Sequence, residues 1–463
     1  MPPKTADRIE VVDALRGIAL FAIVIVHCLE HYNLYYIPDD YPQWLTSLDK
    51  GIWNTTWFIM AGKAFSTFSL LFGFSFYIQF SNAQKRGIPF KGRFVWRMFL
   101  LLMFSQLHSL FYNGDILLLY AVMGLFLVSV SHLSTRKILI IASLMIIQPI
   151  EWIRVICCLY DVPFLEYGEH WMKYGALAKP VMQSGSFFEV VQSNITYGQL
   201  YGNLWQIENG RIFQIGGLFL FGMIAGRLSL FKNIPQSISL WKKITLWSAL
   251  LFIPLNVARM VYPDIAQGNK ALLMPLDIAI PSICNFLFMG LLVGCFILLW
   301  YDKGNGYKFQ RLFIPFGKMS LTNYITQSII GITLFYGFGF NLYKSTGATA
   351  CLFIAIIIFV VLLAASNLWL KKHRQGPLEW IWKKLTWIDF KNNKERTRVL
   401  KCRITACAER IRGRRLRNFF GLLRRCRILW RRERLGLPVR CKNLAPFLRQ
   451  LVKQTNPDAE NEN

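Results

Sequence analysis

Apolar residues run along this chain in long blocks, and polar residues cluster between them. Crossing the roughly 30 Å hydrocarbon core of a bilayer takes about 20 apolar residues at about 1.5 Å rise each. About ten blocks approach that length: 12–33, 55–80, 94–112, 114–132, 137–159, 210–230, 243–262, 275–301, 313–338 and 348–371. The pattern predicts an all-α, polytopic transmembrane helix bundle of about ten helices, its domain covering residues 1–390. One long connection, 160–207, interrupts the series and reads as an outer loop. Rings that favour the membrane interface, including Trp44, Trp57, Trp171, Trp241 and Trp300, stand near block ends.

Composition agrees with lipid as the solvent. Hydrophobic residues make up 54% of the 463 and charged residues 17%, against about 25% charged in soluble domains. The first block reads as a retained span, because it contains Arg16, follows Arg8, and lacks a small-residue cleavage site near His27 or Glu30. The ten cysteines show neither paired spacing nor a zinc pattern.

Charge sets the expected orientation, since Lys and Arg gather on the cytoplasmic side of short loops. Asp39, Asp40 and Asp49 make the first connection acidic, whereas Lys85, Arg86, Lys91 and Arg93 make the second basic. Arg136 and Lys137 mark the fourth, and Asp161, Glu166, Glu169 and Glu189 give the long connection an acidic lean. The alternation predicts a cytoplasmic N-terminus and a cytoplasmic C-terminus. The composition then changes at 391–463, where 21 of the 53 Lys and Arg stand against six acids. This basic, Arg-rich tail fits contact with anionic lipid head groups, or an extension with no selected role. A nucleic-acid-binding arm is the disfavoured third reading.

An ionisable group inside a span defaults to a functional hypothesis. Arg16 and His27 are separated by ten residues. Eleven steps of 100° pass three whole turns by only about 20°, so both share a face, about 16 Å apart along the axis. Asp13, Glu30 and His31 lie near the same stripe. Arg97 and His108 repeat the spacing, and just beyond them the chain turns at Asn113-Gly114 into Asp115. Lys63 sits within the second block, where it either lines a cavity or reaches an interface. Each group also has a structural reading: the arginines as positive-inside anchors, the histidines as hydrogen-bonded packing residues. The cluster at Ser320, Thr322 and Asn323 reads chiefly as helix packing.

A cationic mouth below a deep imidazole suits two chemistries. One is acyl transfer across the bilayer, in which an arginine holds the phosphates of a donor such as acetyl-CoA and a neutral histidine takes a proton from the acceptor. The other is proton-coupled transport.

The ordered motifs carry a resemblance. Asp13-Ala14-Leu15-Arg16-Gly17-Ile18-Ala19, Gly62-Lys63 with Phe68-Ser69-Leu70-Leu71-Phe72-Gly73, and His108 with Gly114-Asp115-Ile116-Leu117 resemble the YeiB-like membrane proteins, the family of unknown function DUF418. Ser320-Leu321-Thr322-Asn323-Tyr324 with Gln327-Ser328, and Gly376-Pro377-Leu378-Glu379-Trp380, extend the likeness over about residues 8–390. The Arg16-to-His27 spacing also resembles the arginine–ten–histidine motif of membrane acyltransferases that O-acetylate bacterial glycans, a superfamily that includes the heparan glucosaminide acetyltransferases. That resemblance covers mainly the first span, and the Arg-rich tail departs from the YeiB-like pattern.

The resulting expectation is a plasma-membrane (bacterial inner-membrane) acyltransferase. His27 is its general base, assisted by His108 and Asp115. Arg16 binds an acetyl-CoA-like donor with help from Lys63 or Arg97, and the acceptor is an outward glycan or envelope polymer. No metal and no permanently bound cofactor are expected. A transporter or permease, and a membrane protein without turnover, are the alternatives.

Overall fold

In a computed structural model, the described residues are 9–38, 41–87, 90–163, 169–302 and 306–388, and the tail at 391–463 lies outside them. The chain up to Trp387 packs as one compact unit. Among the described residues every regular element is helical. The helices are α1 (Glu10–His27), α2 (Gln43–Ile59), α3 (Lys63–Lys85), α4 (Phe90–Ser109), α5 (Leu117–Val130), α6 (Thr135–Ile147), α7 (Pro149–Leu159), α8 (His170–Ser184), α9 (Phe187–Ser193) and α10 (Gln199–Glu208). They continue with α11 (Arg211–Arg227), α12 (Pro235–Ile265), α13 (Lys270–Asp302), α14 (Lys308–Leu312), α15 (Ile314–Lys318), α16 (Ser320–Phe335), α17 (Ala348–Lys372) and α18 (Pro377–Thr386).

Five segments among the described residues are long and apolar enough to cross a membrane: Glu10–Tyr32, Gln43–Lys85, Pro235–Ile265, Lys270–Asp302 and Ala348–Lys372. The bent pair α6–α7, which turns by 47°, would be a sixth. The ten apolar blocks therefore do not become ten uninterrupted helices. The second block is broken between α2 and α3, where Gly62 takes a left-handed φ of 80° that a side chain would strain, and where an added Cβ would meet the Asn285 amide at 2.3 Å. The fifth breaks at Gln148, also left-handed, which donates from Nε2 to the Gly210 carbonyl at 2.9 Å. The ninth is split between α15 and α16.

The largest departure from the sequence reading is the connection 160–207, expected as an outer loop. Its described part folds into α8, α9, a π-helical turn at Asn194–Gly198, and α10. Its polar side chains tie it to the bundle: Asn194 Nδ2 donates to the Leu110 carbonyl at 3.1 Å, and Gln206 Nε2 to the Asp115 carbonyl at 2.9 Å.

Burial separates the inner helices from the outer ones. Along α11, twelve residues from Gln214 to Gly226 are buried, and α3 and α6 pack against it. On α12 the outward side chains Leu246, Trp247, Ile253 and Met260 are exposed, and on α17 so are Phe353, Ile357 and Leu368. Apolar faces of this extent suit a lipid bilayer.

Helix ends are held across long sequence distances. Asp49 on α2 caps α17, accepting from the Thr349 amide at 2.7 Å and from its hydroxyl. Glu379 on α18 caps α16, accepting from the amides of Leu321 at 2.7 Å and Thr322 at 3.1 Å and from Thr322 Oγ1 at 2.6 Å. These bonds account for the conspicuous Ser320-Leu321-Thr322 and Gly376-Pro377-Leu378-Glu379 segments as a helix start and its cap.

Candidate functional site

The site is built around α1. Its backbone lies so close to α15 that a Cβ on Gly17 would stand 2.1 Å from the Phe313 carbonyl oxygen. This contact fixes the neighbouring Arg16. Its guanidinium donates to Asp13 Oδ1 at 3.0 Å and to Ser75 Oγ of α3 at 3.0 Å. Three turns on, His27 ends the regular helix, and a π-helical turn, Cys28–Tyr32, follows. The widened turn brings Tyr32 beneath the imidazole, with its hydroxyl 3.3 Å from His27 Nδ1 and 3.3 Å from Ser328 Oγ.

A single cavity of about 1010 Å³ has Arg16, Arg97 and Lys318 in its wall at one end, and His27, Glu30 and His31 at the other. Phe65, Phe68, Phe72 and Tyr120 line the middle. Both members of the Arg16–His27 pair thus face one internal space, as their spacing predicts.

Arg97 on α4 belongs to the Arg16 end. Its guanidinium lies 3.7 Å from the Trp382 ring centre, and the Trp382 indole donates to the Arg97 carbonyl at 3.1 Å. Stacking holds the plane of the guanidinium and leaves its edge for other partners. Phe94, one turn earlier, packs on Phe76 at 4.5 Å, next to Ser75, the partner of Arg16.

Lys63 is placed differently from the expectation that it helps Arg16. Arg16 bonds Ser75, and Lys63 stands twelve residues earlier on the same helix, about 18 Å away along its axis. The two cations cannot share one small anion. Lys63 is 4% exposed and lies at the His27 end, where its ammonium approaches the Phe58 and Phe288 rings.

His108 and Asp115 come together as their sequence proximity suggests. Nδ1 of His108 is 2.8 Å from Asp115 Oδ1, and the Ser105 hydroxyl also donates to this carboxylate. A carboxylate only accepts, so Nδ1 carries a proton and donates it. Nε2 of His108 and the Tyr112 hydroxyl are buried and have no hydrogen-bond partner among the described residues. The pair stands behind the cavity wall and reaches His27 through aromatic rings: Tyr112 is 5.7 Å from the His27 ring and 5.3 Å from that of His108. The Tyr324 hydroxyl lies 3.4 Å from Asp115 Oδ1.

Sequence reasoning missed much of the wall around His27. Arg259, Tyr262 and Asp277 line the cavity there. Arg259 and Asp277 each interrupt an apolar block, and that is a readable signal. Tyr201, Trp205 and Gln206 also line it, from the connection taken as a loop. No group of three or more His, Cys, Asp or Glu among the described residues is arranged to hold a metal ion.

The fold and cavity define a class: an all-helical protein with candidate membrane spans arranged around an internal passage that is polar at both ends. Residues 225–389 match the family described as protein of unknown function, DUF418. The chain is 27% identical over 428 residues to the uncharacterized protein YxaH of Bacillus subtilis, covering 86% of this chain and 99% of that one. It is 24% identical over 406 residues to the uncharacterized protein YeiB of Escherichia coli, covering 82% and 96%. A third relative, an uncharacterized 39.9 kDa protein of Bacillus acidopullulyticus, is 25% identical over 390 residues, covering 82% and 94%. Residues 225–389 are thus similar to the DUF418 family, and most of the chain is similar to YeiB-like proteins.

Proposed function

We propose that this protein is a plasma-membrane acyltransferase with both termini in the cytoplasm. It passes an acyl group from an acetyl-CoA-like donor to a hydroxyl or amine of an outward acceptor such as a glycan or envelope polymer. The carrying observation is the one cavity whose wall contains Arg16 and Arg97 at one end and His27 at the other. Guanidinium groups are suited to a donor's phosphates, and the aromatic midsection suits a slender, largely uncharged arm such as pantetheine. The thioester then lies near His27, about 16 Å from the phosphate end.

The chemistry balances within that frame. His27 takes the acceptor's proton as the acceptor oxygen or nitrogen bonds to the thioester carbonyl carbon. The carbon–sulfur bond breaks, and the departing thiolate takes the proton back from the imidazolium. Tyr32 fixes the His27 ring through Nδ1, which leaves Nε2 to do the work.

His27→Ala should lower acyl transfer from labelled donor by about 10²–10⁴-fold, the usual contribution of a general base, without loss of protein from the membrane. Full activity in that variant refutes the assignment. Solute uptake into proteoliposomes without donor consumption would identify a transporter instead.

A further inference from the structure

Three cations in the wall around His27 have no carboxylate at salt-bridge distance among the described residues. These are Lys63, Arg211 and Arg259, all of which line the cavity. Lys63 makes one long hydrogen bond, 3.5 Å to the Trp57 carbonyl. Arg211 stacks on Phe65 at 4.2 Å and donates to Gln214 at 2.9 Å, which leaves most of its five N–H donors unused. Arg259 is close enough to Lys63 to act on it electrostatically.

The acids at this end compensate only in part: Glu30 is close enough to act on Arg211, but each acid is engaged by a tyrosine hydroxyl. Glu30 accepts from the Tyr35 hydroxyl, and Asp277 accepts from the Tyr262 hydroxyl. A nearly buried lysine near one arginine, with a second arginine in the same cavity wall, is costly unless an anion meets them. The donor's phosphates do not fill this role in the proposed reaction, because the Arg16 end holds them.

We infer that Lys63, Arg211 and Arg259 form an anion subsite for the acceptor, which therefore carries a phosphate or carboxylate. The inference rests on the acyltransferase reading for the word acceptor, and on the cation cluster alone for the anion. Trp57 and Trp205 in the same wall supply flat faces against which a sugar ring can pack.

The test uses full-length protein in lipid nanodiscs, without donor, and calorimetry with N-acetylglucosamine 1-phosphate, N-acetylglucosamine and inorganic phosphate. The sugar phosphate should bind at least tenfold more tightly than the neutral sugar. Arg259→Gln and Arg211→Gln should each remove most of that preference, whereas Arg259→Lys, which keeps the charge, should retain it. Equal affinity for the charged and neutral sugars, failure of both phosphate ligands to bind, or wild-type preference in Arg259→Gln overturns the inference. Repeating the titration with the sugar phosphate on a polyprenyl chain separates the two sources of such an anion. Tighter binding of that form marks a lipid-borne acceptor, and no gain marks a soluble one; both keep the subsite. Sugar-phosphate binding without acyl transfer sinks only the acyltransferase reading, and transfer without charge preference sinks only the subsite.

Discussion

At the scale of single residues, the centre sorts into groups that face the cavity and groups that support them from behind. His27 faces it, and the His108–Asp115 pair does not. Asp115 gathers Ser105, His108 and Tyr324 around one buried carboxylate. Asp115→Asn replaces hydrogen bonds to a charge with neutral ones and should cost roughly 1.5–3 kcal/mol, measurable as a lower unfolding temperature in detergent. Activity per folded molecule should fall less than in His27→Ala, because the pair acts on His27 through intervening rings. An Asp115→Asn protein as inactive as His27→Ala, but equally stable, would make the carboxylate a direct participant.

At the scale of elements, the site depends on where helices stop and how closely they approach. Glu379 ends up at the start of α16, 57 residues away from Thr322 in sequence. Glu379→Gln keeps the shape but removes the charge at a helix N-terminus, and should lose about 0.5–2 kcal/mol. Thermal unfolding should report this, with acyl transfer reduced only in proportion to the folded fraction. Gly17→Val is expected to be more severe. The added atoms would overlap the Phe313 backbone, so α1 and α15 must separate, and Arg16 moves with α1. Poor membrane yield, or a folded protein with a raised donor KM, is the expected result. Normal yield with normal KM would show that the contact tolerates side chains.

At the scale of the molecule, the apolar exteriors of α12 and α17 suit lipid outside, and the cavity within is polar at its two ends and aromatic between them. The helical connection α8–α10 adds Tyr201, Trp205 and Gln206 to one end of that cavity. The tail, 391–463, supplies 21 of the 53 basic residues and contains none of the residues assigned to catalysis or binding. Deleting 392–463 should leave membrane insertion and activity intact; a truncated protein that inserts but is inactive would assign the tail a working part.

The sequence by itself determined the all-helical class, the apolar segments and the shared face of Arg16 and His27. Each follows from a local period of about 3.6 residues or from the length of an apolar run. It also brought His108 to Asp115, because only seven residues and one turn separate them. Tertiary structure alone decided that Lys63 lies away from Arg16, that Arg211 and Arg259 join it, that Trp382 backs Arg97, and that the long connection is helical and bound to the bundle. Those placements rest on contacts between segments tens to hundreds of residues apart. A helical period fixes which way a side chain points from its own axis, but which helix it then meets is settled by packing among all of them.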